Sequence, residues 1–237
     1  MALSLSFDDA RTSQIDTGLP LLNRLGVKVT FYVTSSNLSR RLEGWKQAAA
    51  AGHEIGSHSQ THPCTGNFTF SRNNALEDYT LARMEQELDN ASIEIERLAG
   101  VRPVTFAYPC GQKFVGRSVE VKSYVPLVAR RFIAGRGYMD EAGNDPLYFD
   151  PAQAAGVGFD DMDFEQMKRL VESAAAEGRW LIFAGHDIGR RGFQSVDTAA
   201  LETLCGYAKE PSNGIWLDTV AAIARYAAAQ RASGKAQ

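Results

Sequence analysis

The sequence predicts an α/β fold, a closed and irregular (β/α) barrel of seven to eight mostly parallel strands, with residues 1–237 forming one domain. Three observations carry this. Short β-branched and aromatic runs alternate with helical patterns along the whole chain. No repeat, low-complexity block or linker breaks the alternation. The 237 residues are enough for one α/β domain of barrel size, and a composition of 44% hydrophobic and 22% charged residues is ordinary for a globular protein.

Each element follows from local pattern. Leu3, Leu5 and Phe7 alternate with Ser4 and Ser6, which predicts a strand over 3–7. Residues 15–25 predict a helix closed by Gly26. "VKVTFYVT" (27–34) is β-branched and aromatic, hence a buried strand. A helix over 43–51, ended by Gly52, leads to a short strand over 54–57. A long amphipathic helix is expected over 75–98, ended by Gly100, then a strand over 104–107. The 115–160 stretch is harder to read, with strands expected near 127–131 and 156–159. Helix 164–176, strand 180–184, helix 198–207, strand 214–217 and a last helix over 218–229, N-capped by Asp218, complete the pattern.

Composition excludes some functions. A net charge of −3 argues against a nucleic-acid or anionic-membrane partner. No apolar run approaches the roughly 20 residues of a spanning helix, so no membrane insertion is expected. Met1-Ala2 lead straight into the first strand without a signal peptide, which suits a cytoplasmic protein or a secreted one whose leader has been removed. Three cysteines exclude a disulfide framework but allow one bridge. The oligomeric state is left open.

Parallel βα architectures gather function at the C-terminal ends of their strands. Asp8 and Asp9 stand at such an end, as do His58, the 108–111 turn and His186. Adjacent carboxylates repel, and each resists burial unless something offsets its charge. An isolated Asp-Asp reads as a strand-end turn and helix cap. The rest of the chain changes that. In "HEIGSHSQTHP", His58 and His62 lie four apart, and Pro63 turns His62 away from helical dihedrals, so a single turn is expected. A lone histidine reads as a satisfied polar residue, but two of the chain's four placed together just past a strand read as metal ligands. Two imidazoles and one carboxylate make a three-ligand face for a divalent ion with open positions. The second carboxylate is then free to take a proton from water at the ion.

"TFAYPCGQ" (105–112) ends a strand in Tyr108-Pro109-Cys110-Gly111. Pro109 fixes the backbone and Gly111 permits close approach, so the turn can aim the Cys110 backbone N–H at a developing oxyanion. Taken alone it is an ordinary strand-end turn. "WLIFAGHDIG" delivers His186 at the end of a buried strand, where a general acid or a polar rim residue both fit. His53 starts a strand and is assigned no catalytic role.

In order along the chain, "SFDD", "HSQTH", "FAYPCG" and "IFAGHD" resemble the motifs of the polysaccharide deacetylase family, the NodB homology domain of carbohydrate esterase family four. The resemblance runs from residue 3 to about residue 226; its first two motifs are specific and the later ones weaker. It implies a distorted (β/α) barrel and metal-dependent removal of acetyl groups from N- or O-acetylated poly- or oligosaccharide. By position, Asp8 resembles the catalytic base. Asp9, His58 and His62 resemble the ligands of a divalent ion, zinc first, with cobalt or nickel as alternatives. Cys110 stands where the oxyanion N–H is expected, flanked by Tyr108, Pro109 and Gly111, and His186 resembles the general acid. With that ligand set complete, Cys64 and Cys110 read better as structural thiols or a bridge than as metal ligands.

Three departures from the family pattern stand out. The usual Arg-Pro-Pro-Tyr-Gly reads Ala107-Tyr108-Pro109-Cys110-Gly111, so the Arg that pairs with the base is missing. A substitute is expected from "ARRFIAGRGY", and Arg136, between Gly135 and Gly137, is preferred to Arg130 and Arg131. The usual Asp-x-x-Asp-Trp is not recognisable: "GFDDMDF" (158–164) matches poorly and reads as a helix N-terminus. The pocket-lining Leu is replaced by Ala184. Two alternatives remain, a same-fold hydrolase of small non-peptide amides or ureides and a glycan-binding homologue without turnover. A polymer needs an open cleft with exposed aromatics such as Trp45 or Tyr138, a small amide a closed pocket, and the 64–74 insert could build either wall.

Overall fold

The computed structural model describes residues 1–234. Its main sheet is built from β1 (Ala2–Asp8), β2 (Thr30–Val33), β3 (Glu54–Ser57), β4 (Thr105–Ala107), β5 (Ala134–Arg136), β6 (Val157–Gly158) and β7 (Trp180–Gly185). All pairings are parallel, in the order β5-β4-β3-β2-β1-β7-β6, and β8 (Trp216–Leu217) pairs with the start of β1. The sheet curls into a distorted half-barrel, and Arg136 of β5 makes one isolated parallel bridge to Ala154 in the segment that leads into β6. The helices α1 (Leu19–Leu25), α2 (Leu42–Ala50), α3 (Leu81–Ala99), α4 (Val125–Arg131), α5 (Phe164–Ala176), α6 (Thr198–Lys209) and α7 (Val220–Ala232) connect the strands.

The period-2 pattern of β1 explains its place at the centre. Leu3, Leu5 and Phe7 join the main hydrophobic core with Phe31, Phe159 and Phe183. Ser4, Ser6 and Asp8 lie on the other face, where Ser4 Oγ accepts from Trp180 Nε1 (3.1 Å) and Ser6 Oγ donates to the Phe183 carbonyl (2.6 Å). The same alternation therefore puts Asp8 on the inner face of the curl and at the C-terminal strand ends.

Four expectations are corrected. Residues 127–131 are helical, not a strand: Pro126 suits the first turn of α4, and Leu127 and Val128 bury one helix face, so the strand comes later, at Ala134–Arg136. The long helix starts at Leu81, because Thr80 caps it by accepting from Arg83 N, and a 3₁₀ turn over Leu76–Asp78 takes the preceding residues. The last helix is capped by Thr219, one residue later than expected. Trp45 is 0% exposed and packs edge-on against Phe31, so it cannot meet a ligand.

Candidate active site

At the C-terminal end of the strands, one cavity of about 820 Å³ is lined by Asp8, Asp9, His58, His62, Cys110 and His186, among others. Tyr138 also lines it and meets His186 edge-on, 5.5 Å between ring centroids. On the rim, Phe68 and Phe70 of the 64–74 insert are 43% and 68% exposed and stack on each other at 5.4 Å.

Asp8 is the last residue of β1, and Asp9 turns off it at φ 78°. Side chains hold this turn. Asn37 Nδ2 donates to the Asp9 carbonyl (2.9 Å), and buried Gln14 donates to the carbonyls of both Asp8 (2.6 Å) and His186 (2.9 Å). Asp9 Oδ1 faces His58 Nε2 at 3.7 Å and His62 Nε2 at 3.5 Å, while Oδ2 accepts from Arg11 Nη2 at 3.0 Å. The three potential ligand atoms lie within 4.8 Å of one another.

The donor chemistry fits a divalent cation. His58 Nδ1 donates to the Ala107 carbonyl (2.8 Å), which orients the ring so that Nε2 faces the carboxylates. Burial and neighbouring His58 push His62 down to about 4, so its imidazole is neutral at physiological pH. Burial tends to raise the Asp9 carboxyl, but His58, His62, His186 and Arg11 outweigh it and hold the group below the usual range. Two imidazole nitrogens and one carboxylate oxygen thus converge, a set suited to zinc or a similar ion.

Asp8 is 3% exposed and pairs with Arg136, which is 0% exposed. Arg136 also donates from Nη1 to the Gly137 carbonyl (2.6 Å) and lies over the Tyr32 ring at 5.0 Å. In the β4–β5 ladder Arg136 is the direct partner of Ala107. The cation absent at Ala107 thus arrives from the adjacent strand at the same level. Gly156 makes room for it, since a Cβ there would lie 2.6 Å from Arg136 Cδ. Arg131 instead pairs with Glu85 and Asp89 on α3.

Cys110 is bonded to Cys64. It sits at φ 54°, and its backbone N–H donates to no acceptor among the described residues. Tyr108 is fully buried, its hydroxyl donating to the Ala152 carbonyl (2.7 Å), and so shapes the turn from beneath. His186 Nδ1 meets Asp160 Oδ2 at 2.6 Å, and its backbone N–H donates to Asp160 Oδ1 at 3.0 Å. Burial tends to lower the His186 pKa, but the Asp160 hydrogen bond and the charges of Asp8, Asp160 and Asp9 raise it overall.

Asp160, Gln14 and Arg11 are the residues that sequence reasoning missed. For Asp160 the signal was present, an acidic residue two positions after the strand ending in Gly158, but Asp163 of the same run does cap α5 and absorbed the explanation. Gln14 sits in a π-turn over Gln14–Gly18, a local irregularity that no periodicity reveals.

A family model described as "Polysaccharide deacetylase" matches residues 1–124. Gellan lyase of a Bacillus sp is 26% identical over 216 residues, which is 90% of this chain but 8% of that protein. The chain spans only 8% and 26% of the length of the first two curated relatives it matches. Among solved structures, PuuE allantoinase superposes with a TM-score of 0.69 at 18% identity, covering 94% of this chain and 89% of that one. A family 4 acetyl xylan esterase from Clostridium thermocellum, in complex with a cobalt ion, gives 0.60 at 17% identity, covering 93% and 89%. At these identities the two structures speak for the fold alone. Among the described residues, no helix is long and apolar enough to cross a membrane.

Proposed function

The chain belongs to the polysaccharide deacetylase family, and from that premise we propose that it is a metal-dependent hydrolase that removes acetyl groups from N- or O-acetylated carbohydrate. The observation that carries this is the convergence, in one cavity, of the Asp9–His58–His62 donor set with a second carboxylate and with Cys110, whose backbone N–H has no acceptor among the described residues. Asp9, His58 and His62 would hold the divalent ion, zinc by preference. Bound there, the ion supplies a Lewis acid for the acetyl carbonyl and lowers the pKa of water.

The chain's own residues do the rest. Asp8 accepts the proton of the attacking water, and Arg136 pairs with its carboxylate and aims it. The Cys110 N–H donates to the oxyanion as the carbonyl carbon becomes tetrahedral. His186 gives a proton from Nε2 to the departing amine or alkoxide, because Asp160 fixes its Nδ1. The raised pKa of His186 keeps this acid charged to higher pH than a free imidazole.

A cavity of about 820 Å³ bordered by exposed Phe68 and Phe70 suits a sugar with neighbouring residues better than a small sealed amide. The Cys64–Cys110 bridge fits an oxidising compartment. The test is acetate release by zinc-loaded protein from acetylated xylan, chitooligosaccharides and peptidoglycan fragments, beside hydrolysis of a cyclic ureide. Acetate release from at least one glycan is expected. Turnover of the ureide alone would move the chain to the small-amide reading, and turnover of nothing would leave a binding protein.

A further inference from the structure

We infer that the Cys64–Cys110 disulfide positions two working atoms at once, the His62 imidazole and the Cys110 backbone N–H, so that only the oxidised chain holds the complete site; this rests on the roles proposed above. Its two cysteines lie on loops that leave different strands, β3 and β4, 46 residues apart. Cys64 follows His62 by two residues, and Cys110 itself carries the oxyanion donor.

The two histidine ligands are braced differently. A ligating imidazole is normally oriented by a hydrogen bond from its other nitrogen to a carbonyl, carboxylate or water. His58 has such a partner in the Ala107 carbonyl. His62 Nδ1 instead faces the disulfide, 3.7 Å from Cys64 Sγ. The bridge takes the place of the missing partner.

Backbone conformation gives the second reason. His62 and Cys110 sit at φ 55° and 54°, in the left-handed region. A residue with a side chain held there costs on the order of 1–3 kcal/mol and stays only where its surroundings over-determine it. The direct ties between the two loops are few. Thr65 N donates to Gln112 Oε1 at 2.7 Å and Gly116 N to the Leu76 carbonyl at 3.0 Å, both beyond Cys110, whose own N–H has no protein acceptor among the described residues. Local bonds from Gly111 N to the Tyr108 carbonyl (2.9 Å) and from Gln112 N to the Pro109 carbonyl (3.1 Å) close the turn around Cys110, and the covalent link is what ties that turn to the His62 loop at Cys110 itself.

The test uses the full chain. A phosphine reductant cleaves the S–S bond; with one water it becomes the phosphine oxide, and two thiols form. Freed thiols beside His62 can themselves bind zinc, since His62, Cys64 and Cys110 also lie within ligand distance of each other. Zinc affinity is therefore read on Cys64→Ala/Cys110→Ala, by competition with a chromophoric chelator. The expected result is affinity weaker by about 10–100-fold, the scale for losing a ligand's supporting partner. Reduction of the parent should lower kcat about tenfold or more with KM little changed, as expected for a contact made in the transition state; the double variant should show the same kcat and no response to phosphine. A reduced protein and a double variant that melt earlier, yet keep zinc affinity and kcat well below their melting temperatures, would reduce the bridge to a stability element and overturn the inference. The zinc arm needs no substrate. Weakened zinc binding without acetate release by the parent would contradict the proposed reaction but not the positioning of His62, and a parent that binds no zinc would overturn both.

Discussion

Replacing Arg136 with Met should lower stability by about 3 kcal/mol and disable the base. Arg136 and Asp8 are both almost wholly buried, at 0% and 3% exposure, so Met fills much of the volume but leaves a carboxylate without its cation. Removing one partner of a buried pair costs roughly 3–5 kcal/mol, because the remaining charge is desolvated and uncompensated. The lower end applies here, since a bound cation beside Asp8 would add compensation. In a chain of this size each kcal/mol moves the melting temperature by about 2–4 °C, which gives a drop of about 6–12 °C. Thermal unfolding with and without zinc measures it, the zinc-loaded form losing less. Asp8→Asn/Arg136→Met should recover part of the loss, because no lone carboxylate is then buried. Turnover of Arg136→Met should fall about tenfold or more, the scale of a misplaced catalytic group. A single variant that melts with the parent, alongside a double variant no more stable than the single, would refute the buried-pair reasoning.

Three further outcomes follow from the site. Asp8→Asn should keep zinc, measured by metal analysis, while losing most turnover, since an amide accepts no proton; a zinc-replete active variant would remove Asp8 as base. Asp160→Asn should move the alkaline limb of the kcat profile to lower pH: Asp160 raises the His186 pKa, so losing it makes the acid deprotonate earlier, and an unmoved limb would count against the pairing. His53 is held neutral by burial, its pKa pushed down to about 4, so the unfolded chain binds the extra proton between its ordinary value and about 4, and stability falls as pH drops through that window; His53→Gln should show a smaller loss between about pH 7 and about pH 5 in denaturant unfolding.

Much of the site was legible because its residues sit at ends of strongly patterned strands. The alternation of β1 fixes which face Asp8 takes, and the β-branched and aromatic run of β2 marks the strand beside it. The stretch between 115 and 160 was illegible for the opposite reason. Its strands have only two or three residues, too short for a period, and the apolar residues of α4 look like a strand when read without Pro126. Arg136 could be chosen from the sequence by its glycine neighbours, yet the reason it works is a register: Arg136 opposes Ala107 across the ladder, which only pairing reveals. Trp45 shows the limit of composition, since a helix aromatic expected on a groove instead fills the core behind β2. The bridge was one of three readings left open for Cys64 and Cys110, and their convergence depended on two loops whose shape the sequence does not encode locally.

The most direct measurement is acetate release from an acetylated oligosaccharide by metal-stripped protein as zinc is added back, with His58→Ala treated in parallel. Metal-dependent deacetylation at the Asp9–His58–His62 site predicts no release without metal, a rise that saturates near one zinc per chain, and no comparable rise in His58→Ala. Acetate release that is unchanged by stripping and reloading, or that responds to zinc equally in His58→Ala, would contradict it.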